Sequence, residues 1–429
     1  MQKITINSYH DLKGIYFIVL FFFSAKATAF TYNFLFNTCF PQFCFLFLLT
    51  IFVVVKYNVH WNSKPLLISE IILLIWYISV TKMQGLPFQI SIYITYSFIL
   101  VLFFVPIAIF KERLFEYYED ICVRLTIVCL FFYLIQALGG EKLLTDLSFM
   151  KPAFGTNSGS FLIFNMSNSQ YYSDTLINGW PRNSGFSWEP GRYSCMLNIA
   201  VVINLMKYKS LSVTNFRLVI LIAGIITTFS TTGISVLMIT IILFVLQNVS
   251  GSKRIIATLM LIPLMLYVLQ LPFMMEKIKE LSDPDKHFVS SETNTSWLNN
   301  YGEGEFFCPQ RFEGLEIELL NVIDKPILGY GLNADFSYVN TMISDRISLS
   351  NGLLKPIAMF GIIIGSVLLF FVCISSIKLS QKYNMKNKYL LFVVYMGISI
   401  SYSFFDVPLI SSLFLYSMFN MEYKNNSIN

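Results

Sequence analysis

The chain is poor in charge. Asp, Glu, Lys and Arg make up 13% of its 429 residues, about half the share found in a soluble domain. So little charge over this length cannot cover a water-facing surface, which excludes an ordinary soluble enzyme. Histidine is scarce too: His10, His60 and His287 stand far apart, leaving no basis for a histidine-built zinc or di-iron centre. The seven cysteines are scattered, mostly within apolar runs and with no CxxC pair, so neither a disulfide framework nor a thiolate metal site is expected. No GxxxxGK[ST] loop occurs, which argues against ATP-driven transport by this chain. The net charge of +5 is small and dispersed, so nucleic acid is not an expected partner. No cofactor is expected.

What the chain has is apolar length. Hydrophobic residues make up 55% of the whole and mean hydropathy is +0.62. Twelve apolar runs stand out: Gly14–Asn33, Phe40–Val55, Pro65–Val80, Ile90–Phe110, Ile121–Leu138, Arg192–Met206, Leu218–Phe229, Gly233–Gln247, Ile255–Phe273, Leu353–Ile377, Tyr389–Phe404 and Pro408–Phe419. Their continuous apolar character favours spanning helices of roughly 20 residues over barrel strands, which alternate across about ten. The expected fold class is an all-α integral membrane protein with about twelve transmembrane helices, one polytopic domain over residues 1–429. Ala25-Lys26-Ala27-Thr28-Ala29 resembles a signal-peptide cleavage site. Lys26 is a poor residue so close to a cut, and the segment reads better as the end of an uncleaved first span.

Sidedness follows from the bias of Lys and Arg toward cytoplasmic loops. One set of short connections carries Lys56 and Lys64, Lys111 and Arg113, Lys207, Lys209 and Arg217, Lys253 and Arg254, and Lys378, Lys382, Lys386 and Lys388. The short connections of the other set carry Lys82 alone. Both termini are therefore expected in the cytoplasm. Two long loops, Gly139–Gly191 and Met274–Gly352, fall on the outer side, and loops of that length in a compact architecture are commonly functional.

The densest group of chemistry-bearing residues closes the first long loop, from Trp180 to Tyr193. Arg182, Trp188, Glu189, Pro190 and Arg192 lie within it. Arginine forks hold phosphate oxygens in pairs and keep their charge. The indoles of Trp180 and Trp188 offer apolar faces suited to a sugar ring, and Pro190 favours a helix start, whose N-terminus attracts anions. The bland alternative is interfacial Trp anchoring with one Arg–Glu ion pair. In the second loop, Arg311 precedes an amphipathic stretch, Leu315–Ile323, suited to a helix on the membrane or against the bundle. Asp324-Lys325-Pro326-Ile327-Leu328-Gly329-Tyr330-Gly331 comes next, its glycines permitting a tight turn. Asn351 and Lys355, four residues apart, are expected on one face of the tenth span, where Lys355 either meets a lipid phosphate or snorkels to headgroups. Snorkelling is the expectation for Arg124, an interhelical ion pair for Glu70, a solvated loop for Ser282–His287, and helix capping for Ser230-Thr231-Thr232-Gly233.

Together these features resemble the O-antigen polymerase (Wzy) family, within the O-antigen polymerase/ligase superfamily. The likeness rests on the span count, the two long loops, Arg182-x-x-Gly185-Phe186-x-x-Glu189-Pro190, the Pro326–Gly331 segment after Arg311, and Asn351-Gly352-Leu353-Leu354 before Phe360-Gly361. Many relatives carry a His-Asn pair where this chain has Ser350-Asn351. The resemblance implies a glycosyltransferase of lipopolysaccharide biosynthesis at the periplasmic face of a bacterial inner membrane, polymerising undecaprenyl-diphosphate-linked repeat units. Membrane lipids and a chain-length regulator protein are its implied partners. Arg192 and Arg311 would take the diphosphates, assisted by Arg182. Trp180, Trp188, Asn351 and Lys355 would contact substrate, and Glu189 would orient or deprotonate the acceptor hydroxyl. An ordinary Glu, at about 4.3, is a weak base, and pairing with Arg192 would weaken it further. Competing readings are an O-antigen ligase or other lipid-linked glycan transferase, and a flippase or secondary transporter. A flippase would require charges facing a cavity deep in the spans, whereas these cations sit in loops. A secondary transporter would show paired, broken half-repeats, and none is evident.

Overall fold

Apolar runs fold as helices because the backbone then satisfies its own polar groups inside lipid. In the structure, a computed structural model, α1 covers Leu12–Ala25, α2 Phe40–Lys56, α3 Lys64–Met83, α4 Ile90–Phe110, α5 Arg113–Ile135 and α6 Glu141–Asp146. Further along are α7 (Pro190–Tyr208), α8 (Phe216–Thr227), α9 (Thr231–Asn248), α10 (Arg311–Asp324), α11 (Lys355–Lys382), α12 (Leu390–Ser399), α13 (Pro408–Phe414) and α14 (Tyr416–Phe419). The described residues are 12–25, 40–59, 63–148, 160–166, 176–177, 180–248, 311–344, 351–405 and 407–419, with isolated positions between them. Lys26, the run Ile255–Phe273 apart from isolated positions, and the acidic segment Ser282–His287 lie outside them.

The molecule is a helical membrane protein. The helices Lys64–Met83, Ile90–Phe110, Arg113–Asp146 and Lys355–Lys382 are long and apolar enough to cross a membrane, and α1, α8, α9 and α12 are apolar but shorter. Their outward faces are greasy rather than charged: Ile68, Ile75 and Ile363 are 56%, 60% and 66% exposed, as lipid-facing side chains are. The fifth run continues past its expected end, because a π-turn at Gln136–Gly140, with Gly139 at φ 91°, joins α5 to α6. Beyond α6 the first long loop includes two short antiparallel pairs, Ser160–Phe161 with Phe164–Asn165 (β1, β2) and Leu176–Ile177 with Trp180–Pro181 (β3, β4).

The chain divides into two compact units. The first comprises 1–60, 105–273 and 376–394, the second 61–104, 274–375 and 395–429. At the centre of the first stands α7, buried on every side from Pro190 to Met206. Its neighbours are α5, α8 and α9. Lipid gives apolar side chains no reason to associate, so contact there relies on small residues and interhelical hydrogen bonds. Accordingly, a Cβ on Gly224 would fall 2.6 Å from a Leu197 methyl. The amide of Asn198 donates to the Gly233 carbonyl at 3.0 Å, and the Tyr193 hydroxyl meets that of Thr126 at 3.2 Å. The Ser230–Gly233 turn caps as expected, Ser230 Oγ accepting from Gly233 N–H at 3.2 Å. Arg124 does not simply snorkel: its Nε donates to Asp120. Asp120 and the fully buried Glu119 both take the Arg217 guanidinium, at 2.9 and 2.8 Å.

In the second unit α11 is broken rather than straight. Gly361 takes φ 79° and ψ 169°, outside any helix, and the Pro326–Gly331 segment fills the gap. Tyr330 N–H donates to the Ala358 carbonyl at 2.9 Å, Gly331 N–H to Met359 at 3.1 Å, and Ile362 N–H to Pro326 at 2.8 Å. Trp76 of α3 pins the segment from beside it, its indole N–H donating to the Leu328 carbonyl at 3.0 Å. Backbone groups freed by the break are thus satisfied by a second chain segment, the condition for irregular backbone at membrane depth. Glu70 of α3, expected in an interhelical ion pair, accepts a hydrogen bond from Ser97 at 2.9 Å and has no ion pair among the described residues.

Candidate functional site

The two groups of residues singled out in the sequence fall in different units, and each is described by itself. In the first unit, Trp180 to Glu189 is an ordered strap. Asn183 holds it to α8 twice, N–H to the Thr227 carbonyl at 3.0 Å and amide to the Thr227 hydroxyl at 2.9 Å. Asn183 Oδ1 accepts from Gly185 N–H at 2.8 Å, and Arg182 Nε donates to the Thr228 carbonyl at 3.1 Å. Gly185 adopts φ 57° with the Tyr193 ring in the space a Cβ would need, so both its handedness and its lack of side chain are required. Phe186 is fully buried, with ring centroids 5.1 Å from Phe21 and 4.8 Å from Tyr193. Glu189 takes extended geometry at the N-cap of α7 and Pro190 opens the helix, as expected.

Arg192 lies in the first turn of α7 and is 4% exposed. Its guanidinium donates to the Ser24 carbonyl at 3.2 Å, beside the Ala25 carbonyl that accepts from Ser187 at 3.0 Å. Those carbonyls end α1, where the helix dipole is negative and a cation is favoured. Arg192 therefore ties α1 to α7. The two indoles face outward, Trp180 50% and Trp188 41% exposed, positioned to meet a ligand or an interface.

In the second unit, Arg311 heads α10. The face that α10 buries is Gly314, Ile317, Glu318, Asn321 and Val322, while Leu319 and Ile323 are 45% and 65% exposed. Of the expected apolar set Leu315, Ile317, Leu319, Leu320 and Ile323, Ile317 is fully buried and Leu315 and Leu320 are half-buried. Ile317 packs with Val339 and Ile347 in a small core belonging to this loop. Asn321 Oδ1 accepts from Val339 N–H at 3.1 Å.

Glu318, which sequence reasoning missed, is 2% exposed. Burial pushes its carboxyl up to about 7, against the opposing pull of the Lys355 charge and a hydrogen bond from Asn321. Its Oε1 has no hydrogen-bond partner among the described residues.

Asn351 does not share a helical face with Lys355, since α11 begins at Lys355 itself. It instead closes a turn just before that helix: Oδ1 accepts from Leu353 N–H at 2.8 Å and Leu354 N–H at 3.2 Å. Asn side chains commonly hold such turns by bonding the backbone two residues on. Its Nδ2 is enclosed, also with no partner among the described residues. Arg311, Glu318, Asn351 and Lys355 therefore belong to one unit and to two adjoining features, α10 and the mouth of α11. The same unit holds a cavity of about 530 Å³ walled by apolar side chains including Trp76, Phe103, Phe360, Val367 and Phe405, with Lys64 at its lining.

The class these features define is an α-helical membrane protein with folded loops bearing cations and indoles. Compared with protein-family models, curated proteins and solved structures, the chain matches none.

Proposed function

We propose that the protein is a polysaccharide polymerase that joins undecaprenyl-diphosphate-linked oligosaccharide units at the periplasmic face of a bacterial inner membrane. In this reading about twelve spans place both termini in the cytoplasm and both long loops in the periplasm. The reading follows the motif resemblance and is supported by one observation above others: the helix headed by Arg311 and the start of α11 at Lys355 belong to one unit, in which the Lys355 charge acts on the buried Glu318 carboxyl. A flippase would carry its charges in a passage through the spans. The large cavity of this unit is walled by hydrocarbon instead, a lining suited to a lipid chain rather than to a glycan.

The reaction needs little covalent help. The growing glycan leaves its lipid diphosphate as an acceptor hydroxyl attacks the anomeric carbon, and fixed cations stabilise the charge that develops on the leaving group. The resemblance gives this role to Arg311 in the second unit and to Arg192 and Arg182 in the first. Trp180 and Trp188 offer faces to sugar rings, Asn351 and Lys355 hold substrate, and Glu189 orients the acceptor at the strap. A strain deleted for the chain tests the reading on a lipopolysaccharide gel. Polymerase loss leaves one repeat unit on the lipid A core and no ladder. Loss of all O-antigen instead would indicate a ligase or flippase.

A further inference from the structure

We propose that the apolar cavity of the second unit is a binding site for one acyl chain of an anionic phospholipid, with the lipid phosphate held at Lys64. The occupant belongs to the leaflet on the Lys64 side of the bilayer, which the proposed topology makes the cytoplasmic one. At about 530 Å³ the cavity is within the usual range for a small-ligand site. Its walls come from three helices: Ile68 and Ile72 of α3, Ile99 and Phe103 of α4, and Val367 and Phe371 of α11. Ile68, Ile72 and Val367 are exposed, so the cavity opens sideways, onto lipid. The polar groups of its lining are already engaged. Ser69 Oγ donates to the Pro65 carbonyl at 2.8 Å, the Trp76 indole to Leu328 at 3.0 Å and the Tyr96 hydroxyl to Leu332 at 3.4 Å. A glycan or a diphosphate would give up its water there for no hydrogen bond in return. A hydrocarbon chain has none to give up.

Depth selects the kind of chain. The lining follows α3 from Lys64 to Trp76, about 18 Å of helix rise. One leaflet supplies about 15 Å of hydrocarbon, half of a core about 30 Å thick. The cavity is thus one leaflet deep, which suits an acyl chain standing in that leaflet. An undecaprenyl chain is much longer and would overrun it. Charge selects the headgroup. Lys64 is exposed where the lining starts, and a lysine so placed lays its stem along apolar surface and keeps its amine in the headgroup layer. No Asp or Glu is among the lining residues. Lys64 also opens α3, where Ser63 makes no side-chain cap and the helix dipole favours an anion. At the other end, the ring centroids of Trp76 and Phe360 lie 4.8 Å apart. There Trp76 holds the Leu328 carbonyl and Gln84 Nε2 donates to the Gly329 carbonyl at 2.8 Å. A chain filling the cavity ends against those rings, and so supports the contact between α3 and the loop segment from below.

The test uses the full chain in phosphatidylcholine vesicles doped with phosphatidylglycerol whose acyl chains are brominated, a contact quencher of indole fluorescence. The Trp76 signal is taken as wild type minus Trp76→Phe. It is expected to be quenched at a mole fraction about fivefold lower by brominated phosphatidylglycerol than by brominated phosphatidylcholine, the discrimination one lysine near the surface supplies. Lys64→Gln should remove that preference with the fold intact, because Lys64 is exposed. This comparison keeps Trp76 and decides the matter even if Trp76→Phe is unstable. Val367→Phe, which narrows the cavity from its open side, should weaken quenching by both lipids. Equal quenching by the two lipids in wild type, a preference that survives Lys64→Gln, or no quenching of Trp76 by either lipid overturns the proposal. Relief of quenching by undecaprenyl diphosphate at a lower mole fraction than by unlabelled phosphatidylglycerol gives the cavity to an isoprenoid chain and overturns it too. None of these readouts depends on polymer formation, so the polymerase reading stands or falls separately.

Discussion

The backbone of Gly361 lies directly against the carbonyl of Ile327, so close that a Cβ at position 361 would overlap it. This contact locks the loop segment into the break in α11, and it turns two weak sequence signals, Gly329-x-Gly331 and Phe360-Gly361, into one device.

Gly361→Ala is therefore expected to be severe. Its φ of 79° with ψ of 169° is a region open essentially to glycine alone, costing about 1–3 kcal/mol for another residue, and the clash adds to it. Gly85 is the control, with φ 66° and open space where its Cβ would be, so Gly85→Ala should cost only about 1–2 kcal/mol. Thermal unfolding in detergent compares the two. Equal losses would mean that the break in α11 is not held by this contact.

Arg217 is expected to behave as the partner of a buried charge. Glu119 is fully buried and receives two Arg217 nitrogens at 2.9 and 2.8 Å. Removing the guanidinium leaves that carboxylate only the Asn204 amide at 2.8 Å and the Lys207 amine at 3.8 Å, and breaking a buried pair typically costs up to about 3–5 kcal/mol. Arg217→Ala should lower the unfolding temperature sharply, and adding Glu119→Gln should recover much of the loss. A double variant no better than the single one would show that Asp120 and Lys207 carry the network without Glu119.

The two arginines given to the diphosphate should separate by their effect on the fold. Arg311→Ala is expected to abolish the polymer ladder at normal membrane abundance. Arg192→Ala should abolish the ladder and also reduce abundance, because the Ser24 carbonyl loses its donor. Arg→Lys at either position should impair the ladder, since a point charge does not replace a planar fork. A normal ladder from either alanine variant would remove that residue from the site.

Much of this architecture is written in the hydropathy of the chain. Among the described residues, helices stand over the apolar runs because apolar length has few other solutions in lipid, and Pro190 marks the start of α7 to the residue. The strap motif was legible as residue types but not as structure: Gly185 and Phe186 are there to pack against Tyr193, which no spacing reveals. The break at Gly361 was hidden because apolar residues continue on both sides of it. Glu318 was missed for a different reason. Gly314, Ile317, Glu318, Asn321 and Val322 follow helical spacing, but two of the five are polar. The apolar pattern of Leu315, Ile317, Leu319, Leu320 and Ile323 is the more conspicuous, and of these Leu319 and Ile323 are exposed. A polar residue on the buried face was the signal available, and a carboxyl there is in conflict with its buried setting.

That conflict has a measurable sign. Glu318 ionises at about 4.5 when unfolded and about 7 when folded, so between those values the folded state holds the proton more tightly. Stability from this group is complete below pH 4.5 and is lost as pH rises through 7. The difference corresponds to about 3 kcal/mol. Glu318→Gln cannot ionise, so its stability relative to wild type should rise by that order between pH 5 and pH 8, read as unfolding temperature in detergent. Identical pH dependence in the two proteins would mean that the carboxyl is not held in an apolar setting. If the gain appears, wild type is less stable in the pH range where this carboxyl is ionised.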